Sequence, residues 1–363
     1  VGAAVVVVHA GKTIALRGYG LADRDAQVSV DPERTVFRIG SISKALTLLT
    51  LARLVDRQEL EREADVQRYF GTIDNPHSFP RPITIEHLMT HTTGLDQIGI
   101  GRQIREWEKP LEERKAMRPS LMAFLQAQNL RRVSPAGAFY RYDTYGTTLA
   151  GAIIERTVGK PYAEAMRQEM FQPLGMSRTS VEVQPQHLED LAVGYERIDG
   201  QHRAQPYEVY LTTPASSIDA TAADMGRLLE ALTSDGANAH GRLFSPEMAR
   251  EVLQPQYRPH PEFPGVTHGL HEADDASGEF ERPIRSVDHG GVMAGFRSLL
   301  TIAPEHELGV FVATNTSGIG GRNELAVAVM QAVLAELPKT AGREPFPVPA
   351  REPTRDLHAL SLI

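Results

Sequence analysis

The strand-like sequence of this chain lies at its two ends, and that placement constrains the fold more than any other feature. Residues 3–9 (AAVVVVH) and 13–19 (TIALRGY) are β-rich runs around a short turn at Ala10-Gly11-Lys12, which reads as a hairpin. The first run is almost wholly apolar, which predicts a strand buried on both faces. Near the other end, 296–302 (FRSLLTI) and 309–314 (GVFVAT) flank the connection 303–308 and read as a second hairpin, with an amphipathic helix over 322–337. Helical patterns occupy the middle, at 43–57, 85–91, 120–128, 145–158, 162–171 and 222–234. Polar loops at 96–119, 181–211 and 254–287 separate them. Strands at both ends with helices between predict one mainly antiparallel sheet interrupted by a helical insertion, an α+β fold and not an alternating βαβ one. The sheet part is expected at about 1–40 and 285–337, and the insertion with its loops at about 41–284. From residue 338 onward, prolines at 338, 345, 347, 349 and 353 read as an extended strap or linker.

Composition narrows the function classes. At roughly 150 residues per domain, 363 residues suggest two domains or one two-part domain. The net charge of −8 argues against a nucleic-acid binder, which needs a basic surface. The apolar stretch ALTLLTLARLV at 45–55 is too short and too polar to span a bilayer. With no cysteine, there is no Cys nucleophile, thiolate zinc site or disulfide. The chain begins at Val1 without Met or a signal-like apolar run, which reads as a processed or trimmed start.

Three segments could carry chemistry. In FRIGSISKALT (37–47), Ser41 and Lys44 lie three apart at the predicted start of an apolar helix, a spacing that puts both side chains on one face. A serine hydroxyl needs a nearby base to become a nucleophile. Lysine can be that base only when neutral, and neutrality at pH 7 costs about 4.6 kcal/mol from its ordinary pKa. Burial under neighbouring elements lowers that cost, and the helix start offers N–H groups to a developing oxyanion. The same spacing also describes an N-capping serine beside a solvated lysine. In PAGAFYRYDTYGTTLAG (135–151), Tyr142 precedes a predicted helix, where its phenol could share or relay a proton; the alternative is an aromatic packing cluster with Tyr140 and Tyr145. In DHGGVMAGF (288–296), His289 stands beside Gly290 and Gly291, which would let a substrate approach the backbone, and the Val292 N–H could serve an oxyanion. The alternative is a Gly-rich turn with a solvated histidine.

Taken in order, Ser41-Ile42-Ser43-Lys44, Tyr142-Asp143-Thr144 and His289-Gly290-Gly291 resemble the three motifs of the serine β-lactamases and penicillin-binding proteins. The specific resemblance is to class C β-lactamases and their esterase and D-aminopeptidase relatives. Residues 1–20, HLMTHTTGL (87–95), PLGMSRT (173–179), ATAADMGRL (220–228) and FVATN (311–315) resemble the same family, so the likeness covers residues 1–337. It implies an acyl-enzyme serine hydrolase with Ser41 acylated, Lys44 and Tyr142 as coupled bases, and His289 in the third-motif position. It also implies an oxyanion hole from the Ser41 and Val292 N–H groups, with Thr144, Gly290 and Gly291 contacting substrate. No metal or organic cofactor is implied. The partner expected is a small-molecule or peptide-like acyl substrate, at an exported (periplasmic or extracellular) location, and the Pro-rich tail permits a membrane tether.

Two departures bear on the substrate. Thr144 stands where the family usually has Asn, and His-Gly-Gly replaces Lys-Thr-Gly, losing a permanent cation for a substrate carboxylate. Both favour ester, amide or other peptide-like substrates over a β-lactam or D-Ala-D-Ala. A β-lactamase or carboxypeptidase using the same residues is one alternative; a non-catalytic member that binds a ligand or peptidoglycan fragment is another. His87 and His91 are spaced i,i+4 as in helical zinc sites, but Glu86 precedes His87 in place of the His-Glu-x-x-His order and no third ligand follows. His268 and His271 lie in polar stretches and read as solvated. The charge-rich run 105–115 reads as a solvated helix or loop, and its Trp107 could form one wall of a cleft.

Overall fold

The computed structural model describes residues 1–70, 79–97, 103–128, 131–261, 263–273, 284–317 and 322–336. The Pro-rich tail lies outside the described residues. The two ends of the chain build one seven-stranded antiparallel sheet, and we number its strands β1 (Gly2–His9), β2 (Lys12–Asp23), β3 (Val28–Ser29), β4 (His271–Glu272), β5 (Val287–Met293), β6 (Phe296–Ala303) and β7 (Leu308–Thr314). Their order across the sheet is β4-β5-β6-β7-β1-β2-β3. Both hairpins expected from sequence are present. They are joined by pairing of β1 with β7, in a register that sets Val5 opposite Val312 and Val7 opposite Val310.

The valine run behaves as its composition requires. Because successive side chains alternate across a strand, Ala4, Val6 and Val8 enter the main core while Val5 and Val7 enter a second, smaller one. Helix α4 (Ala222–Leu232) packs on the first face, and α5 (Arg322–Glu336) covers the second with Ala326 and Met330. Behind the first face runs α1 (Ile42–Asp56), with Ile42, Leu46, Leu48, Leu49, Leu51 and Leu54 fully buried. Only Arg53, Val55 and Asp56, in its last turn, are partly exposed, and a helix buried on nearly all sides lies inside the core rather than on its surface. This one is the central element, sandwiched between the sheet and α2 (Ile85–Met89) and α3 (Thr144–Val158) of the helical region.

The structure departs from the sequence reading in several places, among them a helix at Leu111–Ala116 and a hairpin of Tyr195–Ile198 with Gln201–Ala204 in stretches read as loops, and an unexpected helix at Pro246–Glu251. Phe37–Arg38 leaves the main sheet and joins a small sheet with Ile218–Ala220 and Ser180–Val181. His271–Glu272, read as loop, adds an edge strand to β5. The helix expected over 162–171 is α-helical at Tyr162–Met166 and widens to a π-helix at Arg167–Phe171. The helix over 85–91 stops at Met89, and His91 takes the left-handed conformation with φ 54°.

Candidate active site

The site forms where the first turn of α1 meets β5 and the start of α3. Ser41 sits at the N-cap position of α1 yet makes no side-chain cap bond. Its hydroxyl is therefore not spent on capping, as the structural alternative required. Lys44, one turn on, is 3% exposed and not a solvated lysine. Its Nζ lies 3.2 Å from Ser41 Oγ, donates to the Ala215 carbonyl at 2.9 Å, and sits 4.8 Å from the centre of the Tyr142 ring. Burial pushes the Lys44 ammonium down to about 7, with the buried Asp143 carboxylate opposing that shift. The barrier to a neutral lysine at pH 7 has largely been absorbed by the fold.

Tyr142 completes the trio. Its phenol hydrogen-bonds with Ser41, and burial pushes it up to about 12 while that bond opposes the rise. With its proton retained at neutral pH, Tyr142 is placed to relay a proton while Lys44 holds the free lone pair. His289 on β5 is 3% exposed, which contradicts the solvated alternative. Its Nδ1 lies 2.8 Å from the Gly290 carbonyl, so the ring N–H belongs there and Nε2 faces the Tyr142 hydroxyl at 3.5 Å.

Two glycines set the distance between the Ser41 segment and β5. A side chain on Gly291 would meet the Ile39 carbonyl at 1.9 Å and Ser298 Oγ at 2.2 Å, so the space beside Gly291 is filled by protein. Gly40, at φ +55°, is backed by the Val292 N and O at 2.8 and 2.9 Å from where its Cβ would be. The Val292 backbone thus lies directly beside the residue before Ser41. Its side chain, half-exposed, alternates to the face opposite His289 and Gly291. Thr144 is buried in the first turn of α3, its N–H donated to Gln97 Oε1 at 2.9 Å.

Three supporting residues escaped the sequence reading. Asp143 is the N-cap of α3 and 1% exposed; it accepts from Gly146 N–H and Gln97 Nε2, each at 2.6 Å, and from the Thr93 hydroxyl. His91 accepts the Asp143 N–H at Nδ1, 3.2 Å away, and its ring lies 5.2 Å from that of Tyr142. Burial holds His91 neutral, reinforced by His271, His289 and Lys44. His271 Nε2 is hydrogen-bonded with Tyr140 Oη at 2.9 Å and the ring stands 5.2 Å from that of His289, so it belongs to the site wall. The signals were there in part: an Asp before a helix is an N-cap, and His91 falls within HLMTHTTGL.

His268 and His87 serve structure. His268 is fully buried against Glu86 at 3.3 Å, not solvated. His87 and His91 do not share a face. His87 caps the start of α2 through Thr84 N–H at 3.0 Å, while His91 lies beyond the helix end. Trp107 is 41% exposed and stacks with Arg114, 5.4 Å away.

The profile of the beta-lactamase family matches residues 1–334. The chain belongs to that family. This beta-lactamase-family chain is similar to esterase EstB of Burkholderia gladioli, at 34% identity over 191 residues, 48% of this chain and 46% of EstB. The match thus spans about half of that relative's length. The octameric penicillin-binding protein homologue of Pyrococcus abyssi superposes with a TM-score of 0.74 at 22% identity, covering 92% of this chain and 73% of that one. A class C β-lactamase of Rhodobacter sphaeroides does so with a TM-score of 0.68 at 21% identity, covering 92% and 94%. Those two likenesses show the fold.

Proposed function

We propose that this protein is a serine hydrolase that cleaves an ester, amide or peptide-like acyl substrate through an acyl-enzyme. Ser41 Oγ attacks the substrate carbonyl carbon as its proton passes to neutral Lys44. The Ser41 and Val292 N–H groups receive the developing oxyanion. Collapse breaks the bond to the leaving group, which takes its proton from the Lys44 ammonium by way of the Tyr142 hydroxyl. Water then repeats the attack on the acyl carbon, with Lys44 accepting its proton, and Ser41 is reprotonated as the acid leaves.

The observation that carries this reading is the buried Lys44 amine at 3.2 Å from an uncapped Ser41 hydroxyl. A binding module has no need of a nucleophile beside a lysine poised to be neutral. Within the chemistry, the third motif favours an uncharged acyl group. His289 turns Nδ1 to the Gly290 carbonyl and Nε2 to Tyr142, so it lacks the permanent cation that a lysine would offer a substrate carboxylate. Hydrolysis of p-nitrophenyl acetate and of nitrocefin, measured for wild type and Ser41→Ala, tests both points. Ester turnover and a fluorophosphonate adduct on Ser41, both lost in Ser41→Ala, are expected; nitrocefin turnover exceeding ester turnover would reverse the substrate preference. Wild type without turnover or adduct would leave a ligand-binding protein.

A further inference from the structure

A buried ionic network lies just outside the site, on the segment leading into Ser41. Arg38 is 2% exposed and three residues before Ser41. Its Nη2 donates to the Glu208 backbone carbonyl at 2.7 Å, and its Nη1 lies 3.9 Å from the Glu208 carboxylate. Its Nε is 3.7 Å from Asp219, and the guanidinium packs 4.0 Å from the centre of the Tyr207 ring. Glu208 in turn reaches the turn after β5: its Oε2 accepts the Ala294 N–H at 3.3 Å, two residues after Val292. Gln103 Nε2 at 2.7 Å and the Tyr210 hydroxyl at 2.9 Å fix the same carboxylate.

The network is poorly explained as a stabilising device. Arg38 Nε and Nη1 and Asp219 Oδ1 are buried without hydrogen-bond partners among the described residues. Asp219 Oδ2 does accept from the Val183 N–H at 2.8 Å and the Tyr207 hydroxyl at 2.5 Å, but a buried pair with its remaining groups unbonded is often no more stabilising than apolar packing of the same volume. Here the geometry is specific. Arg38 anchors the segment that ends in the Ser41 N–H, and Glu208 anchors the turn that follows the Val292 N–H. Between these two ends the backbones approach closely at Gly40 beside Val292 and at Gly291 beside the Ile39 carbonyl, which also accepts from Ser298 Oγ on β6 at 2.9 Å.

We infer that Arg38 and Glu208 are positioning residues that bracket the two oxyanion donors, setting the separation of the Ser41 and Val292 N–H groups. The inference rests on the serine-hydrolase reading above. A donor displaced by a fraction of an ångström meets the ground-state carbonyl almost as well but the oxyanion less well. Loosening the bracket therefore lowers kcat while leaving KM nearly unchanged.

The test compares Glu208→Ala with Glu208→Gln, which keeps an amide oxygen for the Ala294 N–H. Rates of p-nitrophenyl acetate hydrolysis are expressed per Ser41 labelled by fluorophosphonate, so that unfolded protein does not count. Phenylboronic acid serves as the second probe: a Ser41 Oγ–B bond forms as the hydroxyl proton passes to Lys44, leaving a tetrahedral boronate with an oxygen in the oxyanion position. For Glu208→Ala, kcat per labelled site falls roughly 10- to 100-fold with KM held, and the boronic acid Ki rises in parallel. Glu208→Gln stays within about threefold of wild type on both readouts. Should Glu208→Ala not fold, Glu208→Asp shortens the bracket by one methylene and carries the same expectation. A Glu208→Ala or Glu208→Asp enzyme with wild-type kcat per labelled site, a loss confined to KM, or an unchanged boronic acid Ki overturns the bracket alone. A wild-type protein that takes no label on Ser41 overturns the bracket together with the hydrolase reading.

Discussion

Lys44 should make the protein less stable at the pH where it works, and replacing it with an apolar side chain should stabilise the fold while abolishing activity. The ammonium falls from an ordinary value of 10.5 in the unfolded chain to about 7 in the folded protein, chiefly through burial. That difference corresponds to about 5 kcal/mol when the group is charged in both states. The sign follows from proton counting. Below pH 7 both states bind the proton and the folded state carries the whole penalty. Between pH 7 and 10.5 the unfolded chain still binds it while the folded protein releases it, so unfolding free energy rises by about 1.4 kcal/mol per pH unit. Above 10.5 the penalty is gone. Lys44→Met fills the same volume without the charge and loses the bonds to Ala215 and Ser41, worth about 1–2 kcal/mol together. At pH 7 the variant should therefore be about 2–3 kcal/mol more stable than wild type. Urea unfolding of both proteins at pH 6, 7, 8 and 9 reads this, because the titrating groups that do not interact with Lys44 are shared and cancel, leaving Lys44 with the groups it faces, Asp143, His91 and His271. A variant less stable than wild type at pH 6, or a stability difference that does not shrink as pH rises, would refute the reasoning.

Two further outcomes are expected. The acid limb of kcat/KM should have its midpoint near the Lys44 value of about 7, activity being lost as pH falls and the amine protonates; in Asp143→Asn that limb should move to lower pH, since Asp143 holds the Lys44 value up, and a stopped-flow pH series would show it. Gly291→Ala should prevent folding or abolish activity, because its methyl group would lie 1.9 Å from the Ile39 carbonyl; Ser298→Ala should not rescue it, as the obstructing atom is backbone, and circular dichroism with active-site labelling would separate the two losses.

The parts of this molecule that follow local rules were readable in the sequence. The valine run, the two hairpins and the apolar helix behind Ser41 depend on alternation, turn chemistry and helical spacing, and each falls within a residue or two of its expected place, except that β2 runs four residues further, to Asp23. So does the Ser41–Lys44 pair, which one turn of helix brings together. What local rules do not reach is contact between distant segments. His271 looked like a loop residue because β4 exists only through its pairing with β5. His91 and Asp143 lie 52 residues apart, and nothing in either stretch announces the bond between them. The Arg38–Glu208 link spans 170 residues, and Arg38 read alone is an ordinary charge ahead of a motif.

The pairing of β1 with β7 carries a consequence for how the molecule is made. The Gly2 N–H bonds to the Asn315 side chain across 313 residues, and the valine strand has its neighbour on one side from the start and on the other only when the last hairpin emerges. Until residues 308–314 emerge, the chain therefore exposes a long apolar edge able to pair with other chains. Ribosome-bound intermediates would need that edge shielded, and a protease or chaperone that reads extended apolar segments would find its target in Gly2–His9 until the core closes.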